Sequence, residues 1–397
     1  MKASGMRVLA AGVAVMAIGI YAQRGFSGST IQPKNDAAAI AVERAAKWLV
    51  SVQGQDGGWG QDGGETSYVR QGEHLESNGN DVANTAVAAT ALLHAGNTPI
   101  TGQYHVALQR AVNFILRNVE QSPAEGLTVT DRNGTQIQRK LGPFIDTFLS
   151  SKLLAELDGN MGDPRMNARV RQSLQKCVAK IEKNQLQDGS WNVAGGWAPI
   201  LGTSMASRSL YMAQQKGVAV SPMAMAKVDE YTQKGTQAPA GGPRPGGRGT
   251  EASVVSGPVA GAVMGDAASA GVPLYKSAQT LEQLSRTDAD RKKNAREIRA
   301  ITKELENARF VSGFGSIGGE EFFSYLNISD GLHRAGGQEW EKWNGDMKTK
   351  VIRLQNEDGT WSGQHCITGR VAVTSAAILL LQADRDPILM PASARKN

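Results

Sequence analysis

The chain has 397 residues, of which 41% are hydrophobic and 20% charged, so it has the composition of a folded globular protein. These values exclude whole-chain disorder and a multi-span membrane protein, and a content of two Cys excludes a disulfide scaffold. The net charge of +6 is modest and forms no basic stripe interleaved with aromatic residues, so we expect no nucleic-acid partner.

The N-terminal segment 1–22 is typical of a secretory signal. Lys2 and Arg7 precede the apolar run 8–22, which ends in a small residue that suits cleavage. This run is shorter than the ~20 residues that a membrane-spanning helix needs. We therefore expect an exported protein that is periplasmic, on the cell surface or attached to the membrane. The sequence leaves signal cleavage and N-terminal anchoring both open, and it indicates a flexible lead-in over 23–37.

One motif, Q-x-x-D-G-x-W, occurs three times, each time at the end of an amphipathic helical run. Asp-Gly favours a tight turn in which Gly takes positive φ, and Trp offers a large apolar body with one N–H donor. We therefore predict that the three copies are structural loops that pin helix ends, and that their Trp residues form no ligand box. The repeat positions are Gln53, Asp56, Gly57, Trp59; Gln185, Asp188, Gly189, Trp191; and Gln355, Asp358, Gly359, Trp361.

Charged amphipathic segments alternate six times with segments rich in small residues. Amphipathic helices lie on the outside of a fold, whereas helices that are apolar nearly all round are buried. The alternation predicts an all-α domain over 38–385, a closed (α/α)6 toroid of outer and inner helices. The predicted outer helices are 38–53, 104–119, 165–185, 221–235, 275–308 and 338–355, and the inner ones are 81–95, 143–157, 201–215, 255–270, 320–335 and 370–383.

Three further segments complete the predicted organisation. Residues 235–250 are rich in Gly and Pro and indicate a flexible loop. Residues 285–309 carry mixed charge at helical spacing, which favours a solvated helix. Residues 386–397 form a C-terminal tail beyond the last predicted helix.

The repeated Q-x-x-D-G-x-W loops and small-residue helices resemble the prenyltransferase/squalene-cyclase repeat superfamily. Its members include squalene–hopene cyclases, protein prenyltransferase β subunits and the thioester domains of complement-like proteins. The last predicted helix and the residues that follow it also resemble the last repeat of exported bacterial members of this superfamily. The resemblance implies a toroid with a central cavity open at one end, but it fixes no reaction, because the fold hosts several.

The family's chemistries each require residues that can be sought in this sequence. The resemblance to cyclases implies a D-x-D-D acid, which is absent; the nearest string, Asp288-Ala289-Asp290, lies in the charged segment. Aromatic residues, which stabilise carbocations, are only 6% of the chain. Prenyl transfer implies a zinc site with an Asp two residues before a Cys. That Asp is missing, although His365 and Cys366 are candidate metal ligands. The Cys-Gly-Glu-Gln thioester signature is also absent.

Sugar chemistry would need carboxylates near the cavity. Asp81, Asp146 and Asp330 are the candidates. Asp81 can equally be a helix N-cap, and Asp146 a first-turn carboxylate favoured by the helix dipole. Asp330, in the middle of a predicted helix, has no such explanation. Trp197 is a candidate for stacking on a sugar ring.

We expect the inner-helix N-termini to bring Asp81, Asp146, residues 202–207 and His365-Cys366 to one end of the ring. Ser204 and Ser207 are candidate ligand-binding residues there, although small residues also serve close helix packing. These features favour a toroid that binds a lipid, glycan or protein partner, or acts as a scaffold, without catalysis of the family type. The alternative is an enzyme that acts on an isoprenoid or a polysaccharide through the central cavity. No cofactor is predicted, and the sequence does not decide whether Cys177 and Cys366 are paired.

Overall fold

The computed structural model describes residues 36–62, 79–192, 199–237, 261–313 and 317–385. The chain divides into two units, Met1–Asp36 and Ala37–Asn397, and all described helices belong to the second. The predicted signal or anchor, most of the lead-in, most of the loop 235–250 and the C-terminal tail lie outside the described residues. The candidate Trp197 lies outside them as well.

Within these ranges the chain forms fifteen α-helices and one short 3-10 helix at Ala383–Arg385, with no β-strand, which confirms the all-α prediction. None of the described helices is both long and apolar enough to cross a membrane. The bounds are α1 Ala37–Ser51, α2 Val82–His94, α3 His105–Gln121, α4 Gln136–Leu141, α5 Ile145–Leu157, α6 Pro164–Lys183, α7 Pro199–Gln215, α8 Pro222–Gln237, α9 Gly261–Leu284, α10 Asp288–Lys293, α11 Ala295–Glu304, α12 Ala308–Val311, α13 Gly319–Ala335, α14 Gln338–Arg353 and α15 Arg370–Leu381.

Six helices, α2, α5, α7, α9, α13 and α15, pack against one another in chain order. Each contacts the next, and α15 contacts α2, so these contacts form a closed cycle. The packing follows from composition, because Ala, Ser and Thr let helix axes approach closely. Every residue of α5 is buried, and α13 is buried throughout except at its last residue. We call these six the inner helices.

The remaining long helices bury one face and lie against one or two inner helices. α3, for example, buries Leu108, Val112 and Ile115 at helical spacing and contacts α2 and the next outer helix, α6. α1 contacts α15, α2 and α14, so the first and last outer helices also meet. We call α1, α3, α6, α8 and α14 the outer helices; the short α10 and α11, which bury no residue, lie between α9 and α13 along the chain.

The fourth inner helix differs from its predicted bounds. The sequence indicates an inner helix over 255–270 and an outer helix over 275–308, but α9 runs unbroken through Pro273 and the charged segment forms three short helices. Pro normally ends a helix because it removes one backbone hydrogen bond and crowds the preceding turn. Here Leu274 and Tyr275 are buried after Pro273, and α9 packs along α13, so tertiary burial outweighs the local signal.

The three Q-x-x-D-G-x-W loops have the same hydrogen bonds. In each, the Asp Oδ1 accepts the backbone N–H two residues on, and the Gly has a φ near +90°. The Trp indole N–H donates at 2.7 Å to a carbonyl of the preceding helix: Leu49, Ile181 and Val351. The Gln amide donates within its loop and, at 2.9 Å, to the adjacent outer helix: Ala107 of α3, Ala224 of α8 and Ala41 of α1. Each loop therefore ties two outer helices together.

Candidate functional site

Among the side chains that the structure describes, little open space is left between the inner helices. The cavity there has a volume of about 20 Å³, which is room for about one water molecule. Apolar side chains form most of its wall, and Lys152 and Arg208 are the charged groups that line it. The apolar lining residues are Val87, Phe148, Leu149, Met205, Phe323, Leu326 and Leu379.

Charged side chains from four inner helices form ion pairs beside this cavity. Arg208 of α7 pairs with Asp330 of α13, and both side chains are at most 5% exposed. On α5, Lys152 pairs with Glu156, whose carboxylate also lies 2.8 Å from Nε2 of His94. Burial alone would raise the pKa of Glu156, but the charges of Lys152 and His94 outweigh it and hold the pKa well below its usual range.

A second ionic group joins α9 to α13 and α7. The buried Glu282 accepts from Arg286 and Arg334, and these positive charges hold the pKa of Glu282 below its usual range against the effect of burial. Ser207 accepts from Arg286, and Ser204 accepts from the Asn327 amide at 3.1 Å. The two serine candidates are thus buried hydrogen-bond partners of this network.

Asp81 and Asp146 lie together at the N-terminus of α2. Asp81 is the N-cap of α2, and its Oδ1 accepts from the Asn84 N–H at 2.8 Å. Asp146 accepts from the Ala83 N–H at 3.0 Å and from the Gln138 amide at 2.7 Å. Burial raises the pKa of Asp81 to about 6, and burial together with the charge of Asp81 raises the pKa of Asp146 to about 7. One of the two therefore carries a proton near neutral pH for a substantial part of the time.

His365 and Cys366 meet a residue that the sequence did not single out. Glu320, in the first turn of α13, places a carboxylate oxygen within 4.8 Å of a His365 ring nitrogen and of the Cys366 sulfur. Glu320 is fully buried, whereas His365 and Cys366 are half-buried. These three groups, here called the Glu320 cluster, are donors that can hold a metal ion.

The short helix α4 connects the aspartate pair to the segment that follows His365 and Cys366. Gln138 bonds Asp146, and two residues earlier Gln136 donates to Thr368 at 2.9 Å and accepts from the Thr368 N–H at 3.0 Å. The residues that the sequence predicts to meet at one end of the inner helices therefore form two separate groups, an aspartate pair and the Glu320 cluster. Ser204 and Ser207 bond to Asn327 and Arg286 instead.

Several residues of these sites could not be recognised from sequence spacing. Glu320 and Cys366 are far apart in the chain, so only the packing of the 363–367 loop against α13 reveals their proximity. A local signal does exist for the ionic network. Lys152, Arg208 and Asp330 lie in helices that the sequence predicts to be inner ones, and a buried charge is normally paired.

Comparison with known families gives one match. Residues 29–128 match the family model of the squalene-hopene cyclase C-terminal domain. This region contains α1, α2, α3 and the first Q-x-x-D-G-x-W loop, so the resemblance inferred from the repeat is confirmed, and the matched region is terpenoid cyclase-like. Asp81 lies inside the match, whereas Asp146, Asp330 and the Glu320 cluster lie beyond it. No curated protein and no solved structure matches the chain.

Proposed function

We propose that the chain is an (α/α)6 toroid that binds a ligand or partner and does not cyclise terpenoids. The closed cycle of inner helices, the meeting of α1 with α14 and the cyclase-like match support the ring. The observation that carries the function is how little space the described side chains leave between the inner helices. A cavity of about 20 Å³ cannot admit a triterpene, since small-molecule sites need roughly 300–1,000 Å³. Arg208 lines this cavity, and its ion pair with Asp330 lies between two inner helices, α7 and α13.

A second candidate function is glycan cleavage at the aspartate pair. The specific observation in its favour is the pKa of about 7 for Asp146 beside that of about 6 for Asp81, because a general acid works best with a pKa near neutral pH. Against it, both carboxylates are about 1% exposed and accept backbone N–H groups at the start of α2. A polysaccharide could reach them only if the surrounding loops moved.

A ligand screen separates the two functions. The purified protein is heated with polyprenyl and polysaccharide ligands, and the same mixtures are assayed for products by mass spectrometry. We expect at least one ligand or partner to raise the melting temperature without conversion. Turnover that is lost in a folded Asp146→Asn variant, with the exposed N-cap variant Asp163→Asn as control, would contradict the binding proposal and support glycan or isoprenoid chemistry.

We also propose that the protein is exported, with segment 1–22 either removed or retained as a membrane anchor. Cell fractionation with mass spectrometry of the N-terminus distinguishes the two fates. Recovery of the full-length chain in the cytosol with Met1 retained would contradict export.

A further inference from the structure

The Glu320 cluster combines three donor types that zinc accepts together: a carboxylate oxygen, an imidazole nitrogen and a thiolate sulfur. Their donor atoms lie within 4.8 Å of one another. A tetrahedral zinc ion with bonds of about 2.0–2.3 Å needs donors about 3.5 Å apart, so closing the site takes side-chain shifts on the order of 1 Å. His365 and Cys366 are half-buried, which leaves a path for the ion to enter.

Backbone contacts hold the loop 363–367 against the start of α13. Gly319 N–H donates to the Ile367 carbonyl at 2.9 Å, and Gln364 N–H donates to the Ile317 carbonyl at 2.8 Å. Gly318 permits this contact, because a Cβ there would lie 2.7 Å from the His365 ring. The side chains of the cluster are therefore brought together by the main chain, independently of any ion.

Cys366 itself has a φ of +56°, which is rare for a residue other than Gly. This left-handed conformation turns the chain between His365 and Ile367. It allows two adjacent residues to approach the same carboxylate, although neighbours in an extended chain point to opposite sides.

Glu320 is the observation that points to a ligand. One of its oxygens accepts from the Ile367 N–H at 3.2 Å. The carboxylate also takes a side-chain hydrogen bond from the Cys366 thiol, whereas its buried Oε1 has no N–H or O–H partner of hydrogen-bond geometry among the described atoms. A buried carboxylate oxygen without such a partner is costly, and a cation within the cluster would satisfy it.

Charged groups of both signs surround the cluster. Glu321 places a carboxylate oxygen 3.8 Å from Nε2 of His365, beyond hydrogen-bond distance, and the same oxygen accepts the Gly318 N–H at 2.9 Å. Lys140 lies near Cys366, and Lys350 interacts with the charge of Glu321. The carboxylates of Glu320 and Glu321 are thus balanced by two ammonium groups, so the case for a cation depends on the donor atoms themselves.

We propose that Glu320, His365 and Cys366 bind one zinc ion, with the fourth coordination position left to water or a ligand atom. The family match ends before these residues, and the Asp-x-Cys pair of prenyltransferases is absent, so the site rests on the geometry of these three residues. Zinc binding deprotonates the Cys366 thiol, whose proton passes to solvent.

The test is metal binding by the full chain, purified without a histidine tag. After metal removal and titration with zinc, we expect about one tightly held equivalent per chain. Cobalt(II) in place of zinc should give a thiolate-to-metal charge-transfer band. Wild-type protein that retains no zinc after gel filtration and shows no cobalt–thiolate band would overturn the proposal.

Paired cysteine variants locate the site. Cys366→Ala should abolish the cobalt–thiolate band and weaken zinc binding by about 100-fold or more, whereas Cys177→Ala, which removes the buried thiol of α6, should change neither. Because Glu320 variants can lose the fold, the half-buried His365→Ala provides the second ligand test, with circular dichroism to verify folding. Equal zinc affinity in the two cysteine variants would overturn the proposal.

Discussion

Asp81 and Asp146 show how burial at a helix N-terminus changes the chemistry of a carboxylate. Backbone N–H groups at the start of α2 stabilise a negative charge, yet burial outweighs them in both residues, and the pKa values rise to about 6 and about 7. The unfolded chain titrates both groups near pH 4. Between these values the folded protein keeps a proton that the unfolded chain releases.

This difference predicts the direction of the pH dependence of stability. For a carboxyl group whose pKa is raised in the folded state, the free energy of unfolding falls as the pH rises from about 4 to about 7 and is level above that range. Asp146→Asn removes the titrating group. Between about pH 4.5 and about pH 7.5, the free energy of unfolding of this variant should therefore fall by about 2–4 kcal/mol less than that of the wild type. Urea unfolding across this range measures it, with Asp163→Asn as the exposed control. Equal declines in wild type and Asp146→Asn would refute the assignment.

The ion pair between Arg208 and Asp330 gives a second prediction at this scale. Asp330→Asn leaves a buried guanidinium without its counter-charge, and we expect a loss of about 3–5 kcal/mol in the free energy of unfolding. The double variant Arg208→Met/Asp330→Leu removes both charges and should recover most of the loss. A double variant less stable than Asp330→Asn would contradict this. Loss of an activity in Asp330→Asn alone is therefore no proof of catalysis.

The sequence predicted some of these residues and not others, for a physical reason. Asp81 is recognisable as an N-cap because capping is a local interaction, and the structure shows that cap. Glu320 is not recognisable as a neighbour of Cys366, because their contact depends on a loop packing against a distant helix. Asp330 stood out from its local pattern, but only the fold reveals Arg208 as its partner.

At the scale of the element, the repeat loops explain why Gly follows Asp in every copy. Gly189 has a φ of +91°, and a Cβ there would overlap the Lys227 carbonyl of α8. Gly217 has a φ of +72° with open space around it. Substitutions at these two glycines can therefore distinguish the cost of backbone strain from the cost of steric overlap.

We predict that Gly217→Ala lowers the free energy of unfolding by about 1–2 kcal/mol, the cost of a left-handed conformation. Gly189→Ala should lose about 1–3 kcal/mol more, because the methyl group pushes the loop away from α8. Urea unfolding of both variants measures the difference. Equal losses in the two variants would mean that close packing of the loop against α8 does not contribute to the free energy of unfolding.

The Trp of each loop should contribute through its burial and through one hydrogen bond. Trp361 is fully buried and donates to the Val351 carbonyl, so Trp361→Ala should cost about 3–5 kcal/mol. The half-buried Trp48 is the control, and its replacement by Ala should cost less. Unchanged melting temperatures in the Ala variants of Trp59, Trp191 and Trp361 would refute the structural role predicted for the repeat.

The elements themselves were predictable where composition is distinctive. Helices such as α2 and α15 are rich in Ala, Thr and Leu and are buried on all sides, so their sequence lacks a polar face. The prediction was wrong around Pro273, where burial of the following residues against α13 carries α9 beyond the expected end. A local sequence signal fails to predict a helix end where tertiary contacts stabilise the longer helix by more than the local signal destabilises it.

At the scale of the whole molecule, the third repeat loop joins the two ends of the folded unit. Gln355, after the last outer helix, donates to the Ala41 carbonyl of the first, and Arg44 of α1 donates back to carbonyls of the same loop. The equivalent Gln185 joins the α6 loop to α8. The same side-chain bond therefore joins the last outer helix to the first in one place and links successive outer helices in the other.

This arrangement predicts a long-range effect that an open chain of helices would not show. Gln355→Ala removes the bond to α1, so amide hydrogen exchange should become faster in α1 as well as in the loop after α14. Gln185→Ala should speed exchange in α8 and leave α1 unchanged, because its bond ends at Ala224. Exchange measured by mass spectrometry on peptides from both helices distinguishes these patterns. If Gln355→Ala changes only the loop after α14, the first and last outer helices are held together by other contacts, and the third repeat loop does not stabilise α1.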